Sequence, residues 1–142
     1  MADYVATAET EIEASPERVW DVLTDPVQVK KFMFGSDVET DWQPGSPITW
    51  QGEYEGKKYT DKGEIVAVEK ARLLKVTHYS PLSGQPDVPE NYHTLTYELS
   101  STDGGTQLKL SQDNNGSQEE ADHSSGMWKM LVDGVKEAAE GK

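Results

Sequence analysis

The segment that decides the fold is ASPERVWDVLTDPVQVKKFM, residues 14–33. Ser15-Pro16 and Asp25-Pro26 each place a capping side chain directly before a proline, which suits the first position of a helix. The second proline disfavours helical geometry at Asp25, so the segment is predicted to form two short helices rather than one. Helices this short are marginal alone in water, so they need support from the rest of the fold.

The remaining chain shows mainly the two-residue period of strands. Residues 4–12 alternate weakly, and the same period runs from Val38 to Gln112 with glycine and proline turns between the apolar runs, which predicts six or seven mostly antiparallel strands. Ser117 and Glu120 form a capping box that begins a final amphipathic helix of about 22 residues, about 33 Å long. We therefore predict an α+β fold in which this helix covers one face of the sheet, with the two short helices at its open end.

The composition limits the number of domains and the class of partner. At 142 residues the chain is expected to form a single domain, 1–142. It has 26 acidic and 13 basic residues and a net charge of −13, and no stretch of the sequence forms a basic face. Because such a charge repels phosphate backbones and anionic lipids, neither a nucleic acid nor a membrane is expected as a partner.

The absence of cysteine excludes several kinds of chemistry. With no cysteine in the sequence, disulfides, thiolate catalysis and cysteine-ligated metals are ruled out. The first residues, MADYVATAETEIE, lack the basic and apolar regions of a signal peptide. No apolar run approaches the ~20 residues of a membrane span. The predicted location is the cytoplasm.

Several motifs, in their order along the chain, resemble the activator of heat-shock-protein-90 ATPase homologue-like family, within the START/Bet v 1-like (SRPBCC) superfamily. The first motif comprises Pro16, Val19, Trp20, Leu23, Thr24, Asp25 and Pro26. The others are Gly63, Ile65, Val68 and Leu73, then GGTQLKLSQ at residues 104–112 and SGMWKMLVDGVKE at residues 125–137. The resemblance extends from about residue 5 to residue 139. It implies a helix-grip fold, with a curved sheet wrapped round the C-terminal helix and a deep cavity between them.

Two features of this sequence depart from the family pattern. The aromatic pair after the second helix is replaced by Phe32-Met33-Phe34, and the usual histidine at the end of the last strand is Gln112. The resemblance therefore does not transfer the identity of a ligand. The eukaryotic co-chaperone carries a further amino-terminal domain for chaperone binding, and a domain of that kind is not expected here.

The inward-facing positions have the composition of a ligand pocket, mostly apolar and aromatic with a few polar groups. The predicted cavity residues are Trp20, Phe32, Trp50, Tyr54, Val76, His78, Tyr97, Gln112, Met127, Trp128 and Leu131. The same residues would also suit a close-packed core, so both interpretations remain open. No catalytic residue, metal ligand or cofactor is predicted, since no metalloprotease, phosphate-loop or nucleophile-elbow motif is present.

The three histidines and Gly126 differ in their predicted orientation and role. His78 lies on an inward face and is either a polar anchor or general base, or a buried histidine satisfied by a neighbour. His93 is predicted to point outward, and His123 to be a solvated residue at the start of the final helix. Gly126, inside that helix, is predicted to permit a close backbone approach or to leave room for a ligand.

Three functions fit these observations. The first is a non-enzymatic protein that binds a hydrophobic or aromatic small molecule in an internal cavity. The second is a stress- or chaperone-associated interaction protein whose acidic surface meets a basic partner. The third is a cyclase- or aromatase-type enzyme that moves protons with His78 or Tyr97, which requires at least two polar groups within hydrogen-bond reach.

Overall fold

A computed structural model describes residues 4–33, 35–81 and 84–141, except for the side chain of Tyr54. The strands are β1 (Tyr4–Ile12), β2 (Asp37–Glu39), β3 (Pro47–Tyr54), β4 (Lys57–Glu69), β5 (Leu73–His78), β6 (His93–Thr102) and β7 (Gly105–Asn115). The helices are α1 (Pro16–Leu23), α2 (Pro26–Phe32) and α3 (Gln118–Ala139), and a short 3-10 turn spans Pro89–Asn91.

The strands form one antiparallel sheet in the order β1-β7-β6-β5-β4-β3-β2. Each strand from β2 to β6 pairs with the next one along the chain, while β1 forms the other edge by pairing with β7. The sheet, the long C-terminal helix and the two short helices after β1 confirm the predicted α+β, helix-grip architecture.

The caps of the two short helices form as the sequence predicts. The Ser15 hydroxyl oxygen accepts a hydrogen bond from the Arg18 backbone N–H (3.2 Å), and Asp25 Oδ1 accepts one from the Val27 N–H (3.0 Å). Pro16 and Pro26 are the first residues of α1 and α2. The chain therefore turns between them, which allows α1 and α2 to pack on different parts of the core.

The long helix α3 is anchored at its start and along the edge strand. The Ser117 hydroxyl oxygen accepts from the Glu120 backbone N–H at 3.1 Å, so the predicted cap forms. Further along, the hydroxyl oxygen of Ser125 accepts from the Thr7 backbone N–H of β1 at 3.1 Å. The helix lies against β1 and β7, and α1 and α2 lie against the helix.

One glycine of α3 lets the short helix α2 come close. A β-carbon placed on Gly134 would lie 3.0 Å from the β-carbon of Phe32, inside ordinary contact distance. Around Gly126, apart from its chain neighbours and the adjacent backbone of α3, no atom of the described structure lies within 4 Å of such a β-carbon. The close approach predicted at Gly126 is therefore wrong, and it occurs two turns later at Gly134.

The core lies between the inner face of the sheet and the three helices. Its largest fully buried side chains are Ile12, Val19, Val22, Ile48, Ile65, Val76, Leu95, Leu108, Leu110, Leu131, Val132 and Val135. Within the part of the chain that the structure describes, no helix has the length and apolar character that a membrane span requires.

Candidate functional site

A histidine–aspartate pair lies on the inner face of the sheet where β5 ends beside β4. His78 Nε2 and Asp61 Oδ2 are 2.9 Å apart, which is hydrogen-bond distance. The side chains are only 12% and 15% exposed, respectively. The ring of Trp50 meets the imidazole edge-on, with centroids 5.1 Å apart and planes at 66°.

Strand register explains why these three side chains meet. Trp50 of β3 lies directly opposite Asp61 of β4, and opposite residues of an antiparallel pair share a face. Lys62 forms a bridge with Tyr79, so the preceding residues, Asp61 and His78, lie on the other face and diagonal to each other. Folding of the β3–β4–β5 meander is thus enough to assemble the group.

Gly63 permits the tight approach of β4 to β5 beside this pair. A β-carbon at Gly63 would lie 1.8 Å from the carbonyl oxygen of Thr77, a distance that no side chain tolerates. The neighbouring Glu64 N–H donates to the Thr77 hydroxyl oxygen at 2.9 Å, which holds the two strands together. The glycine therefore positions Asp61 within reach of His78.

The second polar atom of each partner is buried without a hydrogen bond. Asp61 Oδ1 and His78 Nδ1 have no partner among the residues that the structure describes. Buried polar atoms are nearly always hydrogen-bonded in native proteins, and each unsatisfied one costs about 1–3 kcal/mol. These two atoms are thus unsatisfied acceptor or donor sites in a mostly apolar interior.

Tyr59 extends the aromatic wall beside the pair. Its phenol ring lies over Gly52, because a β-carbon at Gly52 would be 2.4 Å from the Tyr59 hydroxyl oxygen. Burial, and then the negative charge of Asp61, raise the pKa of the Tyr59 hydroxyl. Tyr59 therefore remains an uncharged phenol at neutral pH.

A small apolar cavity lies beneath α2 and shares Trp50 with this polar group. Its volume is about 20 Å³, room for about one water molecule. Its walls are Leu23, Val29, Phe32, Met33, Trp42, Ile48, Trp50, Leu74, Val76 and Tyr97. Ligand pockets usually measure about 300–1,000 Å³. Among the residues that the structure describes, the deep cavity that the resemblance implies is therefore not seen.

Tyr97 brings a hydroxyl group to the cavity residues. The side chain is buried, and this burial raises its pKa far above the ordinary value of a phenol. The phenol therefore stays protonated well above neutral pH. It is suited to hydrogen bonding rather than to service as a general base.

Two more interior polar atoms lack hydrogen bonds. Gln112 Oε1 on β7 and Trp128 Nε1 on α3 are both buried without a partner in the described part of the chain. The first is an acceptor and the second a donor. The interior is therefore apolar in bulk but retains isolated polar groups.

Most of the predicted cavity residues lie in the interior. Trp20, Phe32, Trp50, Val76, Tyr97, Gln112, Trp128 and Leu131 are buried, and His78 is largely so. Four of them border the small cavity: Phe32, Trp50, Val76 and Tyr97. Their role in binding stays a prediction. The side chain of Tyr54, and Phe34 of the aromatic segment, lie outside the described residues.

Met127 does not face the interior, so its predicted place in a cavity wall is wrong. Its side chain is 37% exposed. The buried stripe of α3 contains Trp128, Leu131, Val132 and Val135, at helical spacings of three and four. Met127 lies at the edge of that stripe, about 100° round the helix from Trp128.

His93 is also placed differently from the prediction. It pairs directly with His78 across β5 and β6 and shares the face of Leu95, since residues two apart on a strand point the same way. Its Nδ1 lies 2.8 Å from the carbonyl oxygen of Asp113. The outward orientation is therefore wrong, and the ring is held by the β7 backbone. His123 is exposed, as expected.

Asp61 is the site residue that sequence reasoning missed. The signal was present, because Tyr59, Asp61, Gly63 and Ile65 alternate on the face that Ile65 buries. A cyclase- or aromatase-type enzyme would need at least two polar groups within hydrogen-bond reach, and Asp61 and His78 meet that requirement. In the described ranges, no cluster of three or more His, Asp or Glu side chains is placed to hold a metal ion.

Comparison with known proteins identifies the family. Residues 13–140 match the family model described as Activator of Hsp90 ATPase homolog 1-like protein. The chain belongs to this family. None of the curated proteins matches the chain in sequence.

Solved structures of similar proteins agree with this membership of the Hsp90 ATPase activator-like family. The solution structure of ChR145 from Cytophaga hutchinsonii is 42% identical and has a TM-score of 0.83, with 96% of this chain and 93% of that chain covered. The Aha1 dimer from Colwellia psychrerythraea, at 19% identity, has a TM-score of 0.73 and covers 99% and 98% of the two chains. Protein CV1439 from Chromobacterium violaceum is 17% identical and has a TM-score of 0.75, with 98% of this chain and 99% of that chain covered. The last two likenesses concern the fold alone.

Proposed function

We propose that this protein binds a small hydrophobic molecule in its interior, between α2 and the inner face of β3, β5 and β6. The observation that carries the proposal is the pair of buried, unpartnered atoms, Asp61 Oδ1 and His78 Nδ1, beside the aromatic wall of an apolar cavity. Trp50 joins the two features, because it borders the cavity and touches the His78 ring. A guest with an apolar body and a polar group would satisfy both.

The short helix α2 is suited to move when a ligand enters. It has seven residues, and no backbone hydrogen bond joins it to the sheet among the described residues. Its polar link to the sheet is the Lys30–Asp37 ion pair at 3.1 Å, in which both side chains are more than half exposed and which contributes little. Val29 and Phe32 hold it by apolar packing, which a hydrophobic ligand would replace.

The small size of the cavity determines how binding would proceed. A cavity of about 20 Å³ admits no organic ligand, so α2 and the side chains beneath it must shift outward first. A ligand favours such an open state only through its stronger interaction with that state, and its apparent affinity falls in proportion to the population of the open state. We therefore expect modest affinity and a strong dependence on the packing of α2.

The test compares the native chain with two variants of α2. Phe32→Ala removes a side chain from the cavity wall, whereas Val27→Ala alters the exposed side of the same helix, where Val27 is 65% exposed. The probe is 2-methoxynaphthalene, followed by Trp fluorescence and by backbone amide chemical shifts. We expect the native chain and Val27→Ala to bind equally, and Phe32→Ala to bind about tenfold more tightly, because less packing must be displaced.

Two results would overturn the proposal. One is binding by Phe32→Ala alone, since the native interior would then be a closed core and the site an engineered one. The other is binding by the native chain with amide shifts confined to the outer face of the sheet. In that case the ligand would occupy a surface groove.

A second candidate function is chaperone binding, which the family membership favours. The matching family is described by activation of the Hsp90 ATPase, and the net charge of −13 suits a basic partner surface. Binding of that kind weakens as salt rises, because exposed charges are screened over about 8 Å at physiological ionic strength. The expected result is salt-sensitive binding to the 90-kDa chaperone with faster ATP hydrolysis. Absence of binding at low salt would exclude it.

A further inference from the structure

The unpartnered atoms of the Asp61–His78 pair define which polar group fits the interior, provided that the proposed ligand binding holds. The carboxylate and the imidazole use one atom each on their mutual hydrogen bond of 2.9 Å. Asp61 Oδ1 and His78 Nδ1 remain, both buried and both without a partner in the described structure. The chemistry of these two atoms sets the complementary group on the ligand.

Both remaining atoms are hydrogen-bond acceptors when the imidazole is neutral. The ionised carboxylate has only acceptor sites, so the imidazole Nε2 must carry the hydrogen that it shares with Asp61. The neutral ring then has a lone pair at Nδ1. The site therefore offers two acceptors to the interior, and a ligand carbonyl, ether or carboxylate finds no donor from this pair.

The surrounding charges also disfavour an anionic ligand. Lys62 follows Asp61 in sequence, but it lies on the other face of β4, where it forms an ion pair with Asp87. Its positive charge is thus committed to the outer surface. A ligand carboxylate placed beside Asp61 would meet a like charge in a largely buried setting, which is costly.

The aromatic neighbours indicate where the body of the ligand would lie. Trp50 borders the apolar cavity on one side and meets His78 edge-on at 5.1 Å on the other. A molecule in an enlarged cavity would therefore lie against Trp50, with one end directed to the Asp61–His78 pair. We propose that the pair is an acceptor site for an uncharged hydroxyl group carried on an apolar ligand, which donates its hydrogen to Asp61 Oδ1 or His78 Nδ1.

The experiment uses three probes that share one ring system: 2-naphthol, 2-methoxynaphthalene and 2-naphthoic acid. Binding is measured at neutral pH by Trp fluorescence with the full chain. The hydroxyl probe is expected to bind about tenfold or more tightly than the ether, since a hydrogen bond to a charged group is stronger than one between neutral groups. The carboxylate is expected to bind most weakly.

Matched variants separate a direct contact from a general change of structure. Asp61→Asn keeps the shape of the side chain but removes its charge, and it should reduce the preference for 2-naphthol over the ether to about threefold or less. His123→Gln alters an exposed histidine on α3 and should leave the preference unchanged. As a second readout, the ¹⁵N shift of His78 Nδ1 should move with 2-naphthol and not with the ether.

The outcomes distinguish this inference from the function on which it rests. Equal affinity for 2-naphthol and the ether, with amide shifts in the interior, would overturn the acceptor site and leave ligand binding intact. Tightest binding of 2-naphthoic acid would do the same. No interior binding of any probe would overturn both.

Discussion

The contact between α2 and α3 gives a quantitative prediction, because α3 contains two glycines in different surroundings. A β-carbon at Gly134 would lie 3.0 Å from the β-carbon of Phe32, whereas carbon atoms prefer about 3.5–4.0 Å. Alanine at this position must therefore push α2 outward by about half an ångström. At Gly126 the same change meets no described atom within 4 Å beyond its chain neighbours and the adjacent backbone of α3.

The expected magnitudes follow from two opposing effects. Replacing glycine by alanine inside a helix gains about 1 kcal/mol, so Gly126→Ala should stabilise the protein by about that amount. At Gly134 the same gain is opposed by overpacking, which costs about 1–3 kcal/mol. The net change there should be a loss of about 0–2 kcal/mol in the free energy of unfolding. The two variants should thus differ by about 1–3 kcal/mol.

The assay is urea unfolding followed by Trp fluorescence, with thermal unfolding as a check. For a chain of this size, 1 kcal/mol corresponds to about 3 °C in Tm, so the variants should be separated by about 3–9 °C. Hydrogen exchange should also be faster in α2 of Gly134→Ala than in the native chain. Equal stabilisation by both substitutions would refute the close packing of α2 on α3, and with it the position of α2 over the small cavity.

Three further predictions concern single residues. Burial raises the pKa of Tyr97, so above pH ~10 the unfolded chain loses this proton while the folded chain keeps it. The free energy of unfolding should therefore fall with rising pH in urea titrations between about pH 9 and 11. The fall should be less steep in Tyr97→Phe. Asp25→Ala removes the cap of α2 and should cost about 1 kcal/mol, with Asp25→Asn near neutral; equal losses would contradict a capping role. Leu131→Ala should lower the free energy of unfolding by about 2–5 kcal/mol because Leu131 is fully buried, whereas Met127→Ala should lower it by less than about 1 kcal/mol. The reverse order in unfolding curves would contradict the placement of the buried stripe on α3.

The order of elements was predictable because the local signals agree with the final packing. Ser15 and Asp25 cap the two short helices as their sequence context predicts, and Ser117 begins the long helix. Antiparallel strands pair with their neighbours along the chain, so a meander needs only turns and alternation to be recognised.

The errors concern which residues of a helix or strand face the interior. The spacing of apolar residues identifies an element but does not fix which of two adjacent residues is central to its buried face. Met127 and Trp128 are adjacent, and only the packing of α3 on the sheet decides which of them is central to the buried stripe. For His93 no such ambiguity existed, since it lies two residues before Leu95 on the same strand and therefore shares its face. For the glycines of α3, the contact depends on where α2 crosses, which no spacing within α3 encodes.

The candidate site was predictable only in part. His78 and Trp50 were identified from their inward faces, but Asp61 was not, although it lies on the same face of β4 as the buried Ile65. A carboxylate in a polar strand segment is usually solvated, and its pairing with His78 depends on the close approach of β4 to β5 at Gly63. The volume of the interior is a property of side-chain packing and has no signature in the sequence.

The most direct test of the proposed binding site is a crystal or solution structure of the full chain with 2-naphthol. We expect the ring between α2 and Trp50, α2 displaced outward, and the hydroxyl oxygen within about 3 Å of Asp61 Oδ1 or His78 Nδ1. A structure with the probe on the outer surface and the space beneath α2 unchanged would contradict it.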